Sequence, residues 1–199
     1  MSTNLFDEIQ ADDETMARLH HRLERDAGAD NLLDVAYRTV DSPVGTLLLA
    51  ATTVGLVRVA YDIEDHDAVL TKLASAVSPR VLRAPARLDD AARQLDEYFA
   101  KRRTAFDVTV DLRLAEGFRR SVVEHLCDIG YGRRESYAEV AAAVGSPRAV
   151  RAVGTACAHN PLPVVIPCHR VVRSDGSTGQ YVGGVAAKTT LLDLESARE

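Results

Sequence analysis

The stretch SYAEVAAAVGSPRAVRAVGTACAHNP at residues 136–161 predicts two short helices joined around a glycine. Ser136 and Glu139 form the S-x-x-E pattern of a capping box at the start of the first helix. The second helix, introduced by a serine cap and a proline, would run from about Pro147 to Ala158. Two helices with this connection are typical of a helix-turn-helix, whose second helix enters a DNA groove.

The second predicted helix carries a face whose composition suits contact with DNA. Arg148 and Arg151 are three residues apart and so share a face, and Thr155 lies one turn beyond Arg151. The side chains of Ala149 and Ala152 are small, so that face could approach DNA closely. A buried helical hairpin with solvated arginines explains the same residues equally well, so this stretch alone leaves both interpretations open.

The charge of the chain is unevenly distributed along its length. The net charge of −5 at pH 7 argues against a protein coated with basic residues. Residues 1–117 hold 14 basic and 21 acidic side chains, a net of −7, whereas residues 118–192 hold nine basic and five acidic ones, a net of +4. A nucleic-acid face in the C-terminal half would produce this asymmetry, as would an ordinary solvated surface.

Upstream of residue 112 the sequence alternates between strand-like and helix-like patterns. Three strand-like segments separated by turn residues predict an antiparallel meander: LLDVAYRTV (32–40), GTLLLAATT (45–53) and GLVRVAYD (55–62). Helical periodicity follows in DHDAVLTKLASAV (65–77) and LDDAARQLDEYFAKR (88–102). The alternating segment FDVTVDL (106–112) predicts one more strand.

The N-terminus and the cysteines bear on where the protein acts. Residues 1–30 carry eight acidic and three basic side chains and lack the pattern of a secretory signal. No apolar run reaches the length of a membrane span. Three cysteines without a C-x-x-C pair favour a reducing compartment over a disulfide framework. We therefore expect a cytoplasmic protein that does not enter a membrane.

A cysteine stands in the apolar segment VVIPCHRVVR at residues 164–173. Cys168 could be a small core residue, since free cysteine is among the most buried residue types. It could instead be a thiolate nucleophile with its general base nearby, because His169 follows it directly. A metal site with Cys157 and His159 is a weak third option, since the spacing matches no usual zinc pattern.

Several segments together resemble the O6-alkylguanine-DNA alkyltransferases, also called methylated-DNA–protein-cysteine methyltransferases. PCHRVV at 167–172 is similar to the active-site motif of that family and is highly specific. The resemblance is dense over residues 117–195 and looser over 35–116. The segments that carry it beside the motif are NPLPVVI (160–166), GSPRAVRAVG (145–154), YVGGVAAKTTLLDLE (181–195) and SPVGTLLLAATTVGLVRVAY (42–61).

The resemblance implies an α+β protein of two domains. Residues 31–112 would form a ribonuclease-H-like α/β domain with a small antiparallel sheet. Residues 113–199 would form a mainly helical, winged-helix-type domain that binds DNA and carries out alkyl transfer. Residues 1–30 lie outside the resemblance and form an acidic N-terminal extension.

The resemblance also implies the reaction, in which an alkyl group moves from O6 of guanine to Cys168 and the protein is consumed in one turnover. No external cofactor or metal is implied. In an extended PCHR segment neighbouring side chains point to opposite sides, so His169 would reach the thiol through a bridging water. Glu195 would orient the imidazole and favour its protonated form, although a glutamate in the last helix is otherwise expected to be exposed.

The family pattern assigns DNA handling to residues of the two short helices. Tyr137 matches the residue that donates a hydrogen bond to the base at N3, and a lone tyrosine could equally be a packing residue. Ser136 and Tyr137 begin a predicted helix, where backbone N–H groups attract phosphate. Arg151 matches the arginine that fills the stack when the damaged nucleotide is flipped out.

The remaining predicted pocket residues lie on either side of the motif. Asn160 would steady the active-site turn, and backbone groups of Cys168 and Val171 would read the guanine amino edge. Tyr181, Val182 and Gly183 would lie over the ring near O6. Many family members have serine where this sequence has Val182.

A second departure from the family pattern is Glu124, which stands where tryptophan is often found. We expect this substitution to alter domain packing. The four-cysteine N-terminal zinc module of the larger bacterial relatives has no counterpart here, so their sensor role is not implied.

The resemblance implies one partner, double-stranded DNA carrying O6-alkylguanine, bound by a protein that is monomeric in solution. Repair of O4-alkylthymine and cooperative binding on DNA are further activities compatible with the family. Three other classes compete with this interpretation. A non-catalytic lesion-binding relative would lack Cys168, a cysteine hydrolase would not need Arg151 on a helix-turn-helix, and a DNA-binding regulator would have no use for the PCHRVV motif.

Overall fold

The first half of the chain is built on a four-stranded sheet, in a computed structural model that describes residues 12–30 and 32–196. The strands lie in the order β3-β2-β1-β4, with bounds β1 Val35–Val40, β2 Leu47–Ala51, β3 Leu56–Tyr61 and β4 Val81–Arg83. β1, β2 and β3 are antiparallel neighbours, which confirms the predicted meander.

The sheet is mixed, and the prediction of a wholly antiparallel sheet was wrong. β4 pairs in parallel with β1, because helix α2 (His66–Ala76) crosses over the sheet and returns the chain in the direction of β1. A strand of only three residues is too short to show a period of two, so the sequence pattern did not predict it.

Helices cover the sheet on both faces. All five residues of β2 are buried, as expected for a strand covered on both sides. Val69 and Leu73 of α2 pack on one face, and helix α3 (Asp89–Phe99) contributes Leu95 and Tyr98 to the core on the other. A further helix, α1 (Asp13–Ala29), precedes the sheet, and its His20 Nε2 lies 2.7 Å from the carbonyl oxygen of Arg83.

The segment at 106–112 is not a regular strand, contrary to the prediction. It contacts the sheet at a single bridge, where Leu56 N donates to Thr109 O at 2.9 Å and Asp111 N donates to Leu56 O at 2.8 Å. A Cβ atom on Gly55 would lie 2.3 Å from Thr109 O, so this crossing requires glycine. The alternating pattern arises because every second side chain of the segment packs against the core.

The second half is mainly helical. Its helices are α4 Gly117–Leu126, α5 Tyr137–Ala143, α6 Val150–Ala158 and α7 Gly184–Ser196. Two short strands pair in parallel: β5 Glu135–Ser136 directly precedes α5, and β6 Val171–Val172 ends the PCHRVV motif. The capping box is confirmed, because Ser136 Oγ accepts from Glu139 N at 3.2 Å and Ser136 N donates to Glu139 Oε2 at 2.6 Å.

Helix α6 begins later than predicted. Ala149 N donates to Ser146 O at 2.8 Å, which closes a turn, and the helix starts at Val150 rather than at Pro147. Arg148 therefore lies in the turn before the helix. The expectation that Arg148 and Arg151 share a helical face was wrong for this reason.

The two halves meet along the free edge of β3. Val59 N donates to Pro161 O at 2.9 Å, and the Arg58 guanidinium donates to the same carbonyl at 3.2 Å. This contact covers an edge strand that would otherwise expose unpaired backbone groups.

Glu124 lies on the solvent-exposed side of α4, and the expected effect of this departure on domain packing stays a prediction. Its side chain is exposed and pairs with Arg120 at 2.8 Å on the outer face of α4. The buried residue at this point of the helix is Val123.

Within residues 12–30 and 32–196, no helix is both long enough and apolar enough to cross a membrane.

Candidate active site around Cys168

The cysteine motif forms one turn of 3₁₀-helix rather than the extended segment that the sequence suggested. Arg170 N donates to Pro167 O at 2.9 Å and closes the turn over Cys168–Arg170. A 3₁₀-helix has three residues per turn, so successive side chains are rotated by roughly 120°. Cys168 and His169 therefore still point in different directions, although for a different reason from the one expected.

Cys168 is buried, with 2% of its surface exposed, but its surroundings are not those of a core cysteine. Asn160 Nδ2 donates a hydrogen bond to its Sγ at 3.1 Å. Burial raises the pKa of the thiol to about 11, although the Asn160 bond, the charge of Lys188 and a hydrogen bond from Tyr181 each lower it. The hydrogen bond from Asn160 marks the sulfur as more than an apolar core atom, while burial keeps the thiol protonated at rest.

Asn160 makes hydrogen bonds on both sides of the active-site turn. Its Nδ2 donates to Ile166 O at 2.8 Å as well as to Cys168, and its Oδ1 accepts from Leu162 N at 3.0 Å. The side chain is fully buried, so these bonds satisfy its polar atoms. Asn160 therefore links the end of α6 to the segment that presents the sulfur.

Glu195 lies behind His169, and the alternative of an exposed glutamate was wrong. Its side chain is buried, and Oε1 lies 3.0 Å from His169 Nε2. The carboxylate also accepts from Arg170 Nη2 and Tyr98 Oη, each at 2.8 Å, and from Gly132 N at 3.2 Å. Burial alone would raise the pKa of Glu195, but the bonds from His169 and Arg170 outweigh it and hold the pKa at about 2.

Glu195 favours the protonated form of His169, as expected, but burial outweighs it and the imidazole is neutral at rest. Burial lowers the pKa of the His169 imidazole, and this effect exceeds the opposing influence of the Glu195 carboxylate. Because the ionised Glu195 can only accept a hydrogen bond, Nε2 carries the ring proton. Nδ1 is then the basic nitrogen, and it makes no hydrogen bond within the described part of the chain.

Three residues of the site were missed by sequence reasoning. Arg170 bonds Glu195 and the carbonyl of Ile129, and Tyr98 reaches the same carboxylate from the first half. Lys188 is fully buried, and its Nζ donates to Val171 O at 2.6 Å. A signal for Lys188 was present, because it falls on the same side of the last helix as two core leucines and Glu195.

Tyr137 is the first residue of α5 and lies between two glycines. A Cβ atom placed on Gly154 would lie 4.0 Å from the Tyr137 ring. A Cβ atom placed on Gly179 would lie 3.1 Å from the Tyr137 hydroxyl. Lys188 Nζ lies 5.8 Å from the ring centroid. Burial raises the pKa of the phenol, with the Cys157 and Cys168 thiols adding to the shift, so the hydroxyl keeps its proton at neutral pH.

The predicted pocket segment lies against the first half of the chain. The hydroxyl groups of Tyr181 and Tyr61 are 3.0 Å apart, and a Cβ on Gly183 would lie 2.6 Å from the Tyr61 ring. Val182 is half-buried beside them. Val171 N donates to Cys168 O, so both backbone groups of Val171 are engaged within the protein.

The outer face of α6 is a separate surface. Arg151, Ala152 and Thr155 are exposed on the helix, Arg148 is exposed in the preceding turn and Ala149 is half-buried. The opposite face of α6 is buried through Val153, Ala156 and Cys157. Ser136 is half-buried and its oxygen is occupied as the cap of α5.

No group of three or more histidine, cysteine or acidic side chains close enough to hold a metal ion occurs in residues 12–30 and 32–196. The three cysteines are free thiols.

Two family models match most of the chain. Residues 35–112 match the ribonuclease-like domain of 6-O-methylguanine DNA methyltransferase, and residues 117–197 match its DNA binding domain. The chain belongs to this methyltransferase family. The predicted two-domain α+β fold is confirmed.

Relatives within the methyltransferase family are similar over most of their length. The methylated-DNA–protein-cysteine methyltransferase of Mycobacterium tuberculosis (strain H37Rv) is 39% identical over 176 residues, which cover 82% of this chain and 94% of that protein. The solved structure of the Mycobacterium tuberculosis O6-methylguanine methyltransferase is 38% identical, with a TM-score of 0.73 and coverage of 83% and 94%. A structure of Mycobacterium tuberculosis OGT in complex with DNA has a TM-score of 0.71 at 38% identity, covering 81% and 93%.

Proposed function

We propose that this methyltransferase repairs alkylated DNA by moving the alkyl group from O6 of guanine to Sγ of Cys168, once per molecule. The observation that carries the proposal is the thiol of Cys168, held by Asn160 beside the buried His169–Glu195 pair. The C–O6 bond breaks as the S–C bond forms, the thiol proton passes to His169, and the imidazolium returns a proton through water to the departing guanine, so in the net reaction hydrogen replaces the alkyl group on the base. The product is a thioether, which water does not cleave, so one protein molecule repairs one lesion.

The proton leaves the thiol through His169. A neutral thiol is a poor nucleophile, and burial keeps Cys168 protonated at rest. Nδ1 of the neutral imidazole is a free base at that pH, and a bridging water would carry the proton from Sγ to it. Glu195 stays ionised, holds the Nε2 proton and stabilises the imidazolium that forms.

The departing guanine needs a hydrogen-bond donor. Breaking the bond at O6 leaves negative charge on the ring, and a donor on the base lowers that cost. The Tyr137 hydroxyl keeps its proton at neutral pH and lies in the same half as Cys168, so we assign it the donation to N3. Val171, Tyr181, Val182 and Gly183 are assigned to the pocket around the base.

The partner that we propose is double-stranded DNA, bound through the outer face of α6. The residues assigned to that face and its approach are the exposed Arg148, Arg151, Ala152 and Thr155 and the half-buried Ala149, with the half-buried Ser136 at the start of α5. Cys168 is only 2% exposed, so the damaged nucleotide has to leave the stack to reach it. Arg151 would fill the space that the nucleotide leaves.

We further propose a cytoplasmic monomer that needs no cofactor, organised as an extension (1–30), a ribonuclease-H-like domain (31–112) and an alkyl-transfer domain (113–199). The three free thiols are compatible with a reducing compartment. Repair of O4-alkylthymine and cooperative binding are compatible with the same site and surface. Sedimentation of the protein alone would measure its oligomeric state, and sedimentation with duplex DNA would measure the cooperativity of DNA binding.

The proposed function is tested by intact mass after mixing with duplex DNA that contains one O6-methylguanine. The expected mass increase is one methylene per protein, with the reaction stopping when lesion and protein have been consumed one for one. The Cys168→Ala variant should give no increase yet still bind the lesion, and Cys127→Ala is the matched control that should react normally. Repeated turnover, or a mass increase in Cys168→Ala, would contradict the proposal.

A further inference from the structure

A tyrosine from the first half of the chain reaches the alkyl-transfer site. Tyr61 is the last residue of β3 and is 2% exposed. Its hydroxyl oxygen lies 3.0 Å from that of Tyr181, and the two rings meet edge to face with centroids 5.7 Å apart. This hydrogen bond joins residues 120 positions apart, across the contact between the two halves.

Tyr181 also lies beside the reacting pair and influences the pKa of the sulfur. A hydrogen bond from Tyr181 is one of the influences that lower the pKa of the Cys168 thiol, after burial has raised it. The Tyr181 ring lies edge to face with that of His169, at a centroid distance of 6.3 Å. Tyr181 thus lies between Tyr61 on one side and the Cys168–His169 pair on the other.

Counting protons fixes the direction of these bonds in the reactive state. A phenol has one proton to donate and two lone pairs to accept with. A thiolate can only accept, so if Tyr181 gives its single proton to the sulfur, its oxygen is left to accept from Tyr61. The bond between the two hydroxyl groups is then donated by Tyr61, whose pKa is raised by burial so that it keeps its proton.

We propose that Tyr61 is a positioning residue for alkyl transfer, which donates to the Tyr181 hydroxyl and so directs that hydroxyl at the Cys168 sulfur. This assignment rests on the proposed function of Cys168 as the acceptor. Hydrogen bonds in a chain polarise one another in a buried environment, so the Tyr61 donor strengthens the donation from Tyr181 to the sulfur. The first half of the chain would then contribute to the chemistry and not only to stability.

Packing around Tyr61 supports a fixed geometry. A Cβ atom on Gly183 would lie within 2.6 to 2.7 Å of three atoms of the Tyr61 ring, so the pocket segment lies directly on that ring. Replacing Tyr61 by phenylalanine keeps this ring contact and removes only the hydroxyl. The substitution therefore separates the hydrogen bond from the packing.

Other ionisable groups also face the sulfur, and the test has to leave them in place. They come from every element packed around it: Lys188 on α7, Cys157 on α6, Tyr137 on α5 and the adjacent His169. None of them has Tyr61 as a hydrogen-bond partner. A change caused by Tyr61→Phe can therefore be assigned to the path through Tyr181.

The experiment measures single-turnover transfer from free O6-benzylguanine as a function of substrate concentration, so that DNA binding does not contribute. Tyr181→Phe should lower the maximal rate at least about tenfold, because it removes a hydrogen bond to a charged group. Tyr61→Phe should lower it by about threefold, as expected for a donor one bond further away. The half-saturating concentration should be unchanged in Tyr61→Phe.

The decisive comparison is the double variant. If Tyr61 acts through Tyr181, Tyr61→Phe should have no further effect in the Tyr181→Phe background, because coupled residues are not additive. Tyr37→Phe is the matched control, since Tyr37 lies on β1 and packs with the other face of the sheet. It loses a hydroxyl from the same sheet and should transfer at the wild-type rate.

Three results would overturn the inference: an unchanged maximal rate in Tyr61→Phe, an effect confined to the half-saturating concentration, or an undiminished effect in the Tyr181→Phe background. The last two indicate a role in packing alone. Failure of the wild-type protein to transfer at all would instead overturn the proposed function. The two failures are therefore distinguishable in one set of measurements.

Discussion

The Cys168 site and the outer face of α6 belong to the same half of the chain but are built in opposite ways. Cys168, His169 and Glu195 are buried, and the Glu195 carboxylate accepts bonds from four different residues. Arg151 and Thr155 on α6 are exposed. One region fixes side chains before substrate arrives, and the other presents charge and shape to a partner.

This difference predicts which property a substitution changes in each region. In the buried network each group is a partner of the others, so removing one leaves a polar atom without its bond and disturbs stability and chemistry together. On the exposed face a side chain can be truncated without unfolding anything. Its loss should appear only when DNA is the substrate.

The largest effect is expected at Glu195. Glu195→Gln removes the charge that stabilises the imidazolium and leaves Arg170 buried without its anion. Breaking a buried pair in this way costs about 3–5 kcal/mol of unfolding free energy. Transfer from free O6-benzylguanine at neutral pH should fall by about 10²-fold, as expected when general-base catalysis is impaired. Denaturant unfolding and single-turnover kinetics measure the two effects.

The control for that variant is another Glu–Arg pair. Glu124 and Arg120 pair on the solvent-exposed side of α4, and exposed pairs contribute little to stability. Glu124→Gln should leave both the unfolding free energy and the transfer rate unchanged. Equal losses in Glu124→Gln and Glu195→Gln would remove the distinction between the buried and the exposed region.

The next effect concerns Arg151 and depends on the substrate. A side chain that fills the vacated stack offsets part of the cost of flipping, which is a few kcal/mol for a paired base. Arg151→Ala should slow transfer from a duplex lesion by about tenfold or more and leave transfer from the free base almost unchanged. Equal impairment on both substrates would rule out this role, because it would indicate a loss of stability.

Arg148→Ala is the matched variant for Arg151→Ala. Arg148 lies in the turn before α6 and would contact phosphate only. Its loss should weaken binding to all DNA alike and reduce the salt dependence by about one charge. A duplex-specific slowing in Arg148→Ala equal to that in Arg151→Ala would contradict the assignment of different roles.

The smallest expected effect is the change of the transfer rate with pH. The base is the unprotonated imidazole of His169, whose pKa burial lowers from its ordinary value of about 6.5. Protonation blocks the base only below that lowered pKa. Transfer from the free base should therefore be flat from pH 9 down to about pH 6.5 and decline only in more acidic solution.

The profile of the wild-type protein checks this directly in single-turnover rates between pH 5 and 9. A decline centred above pH 7 would mean that His169 is protonated at rest. That result would mean that the Glu195 carboxylate outweighs burial in setting the pKa of His169.

Local patterns predicted the parts of the fold that are held by local bonds. The capping box at Ser136 and Glu139 and the three-stranded meander formed as expected. The predicted start of α6 was too early. The sequence Ser146–Pro147 is compatible both with a helix cap and with a separate turn, and the structure has the turn, closed by Ala149 N and Ser146 O.

The sequence predicted those site residues that lie in segments resembling the family. Cys168, His169 and Glu195 come together as the family resemblance implied. Tyr61 and Tyr98 were not predictable, because they contact Tyr181 and Glu195 over 120 and 97 residues of chain with no pattern linking them. Partners at such separations are set by how the two halves pack, which a single sequence does not display.

The central claim is that the buried thiol of Cys168 receives the alkyl group, and mapping the methyl group tests it most directly. After reaction with methylated duplex DNA, trypsin leaves Cys157 and Cys168 on one peptide, residues 152–170, so fragment ions have to place the added mass. We predict the methyl group on Cys168 in every modified molecule, with Cys157 and Cys127 unmodified. A methyl group on Cys157 or Cys127 would contradict the account.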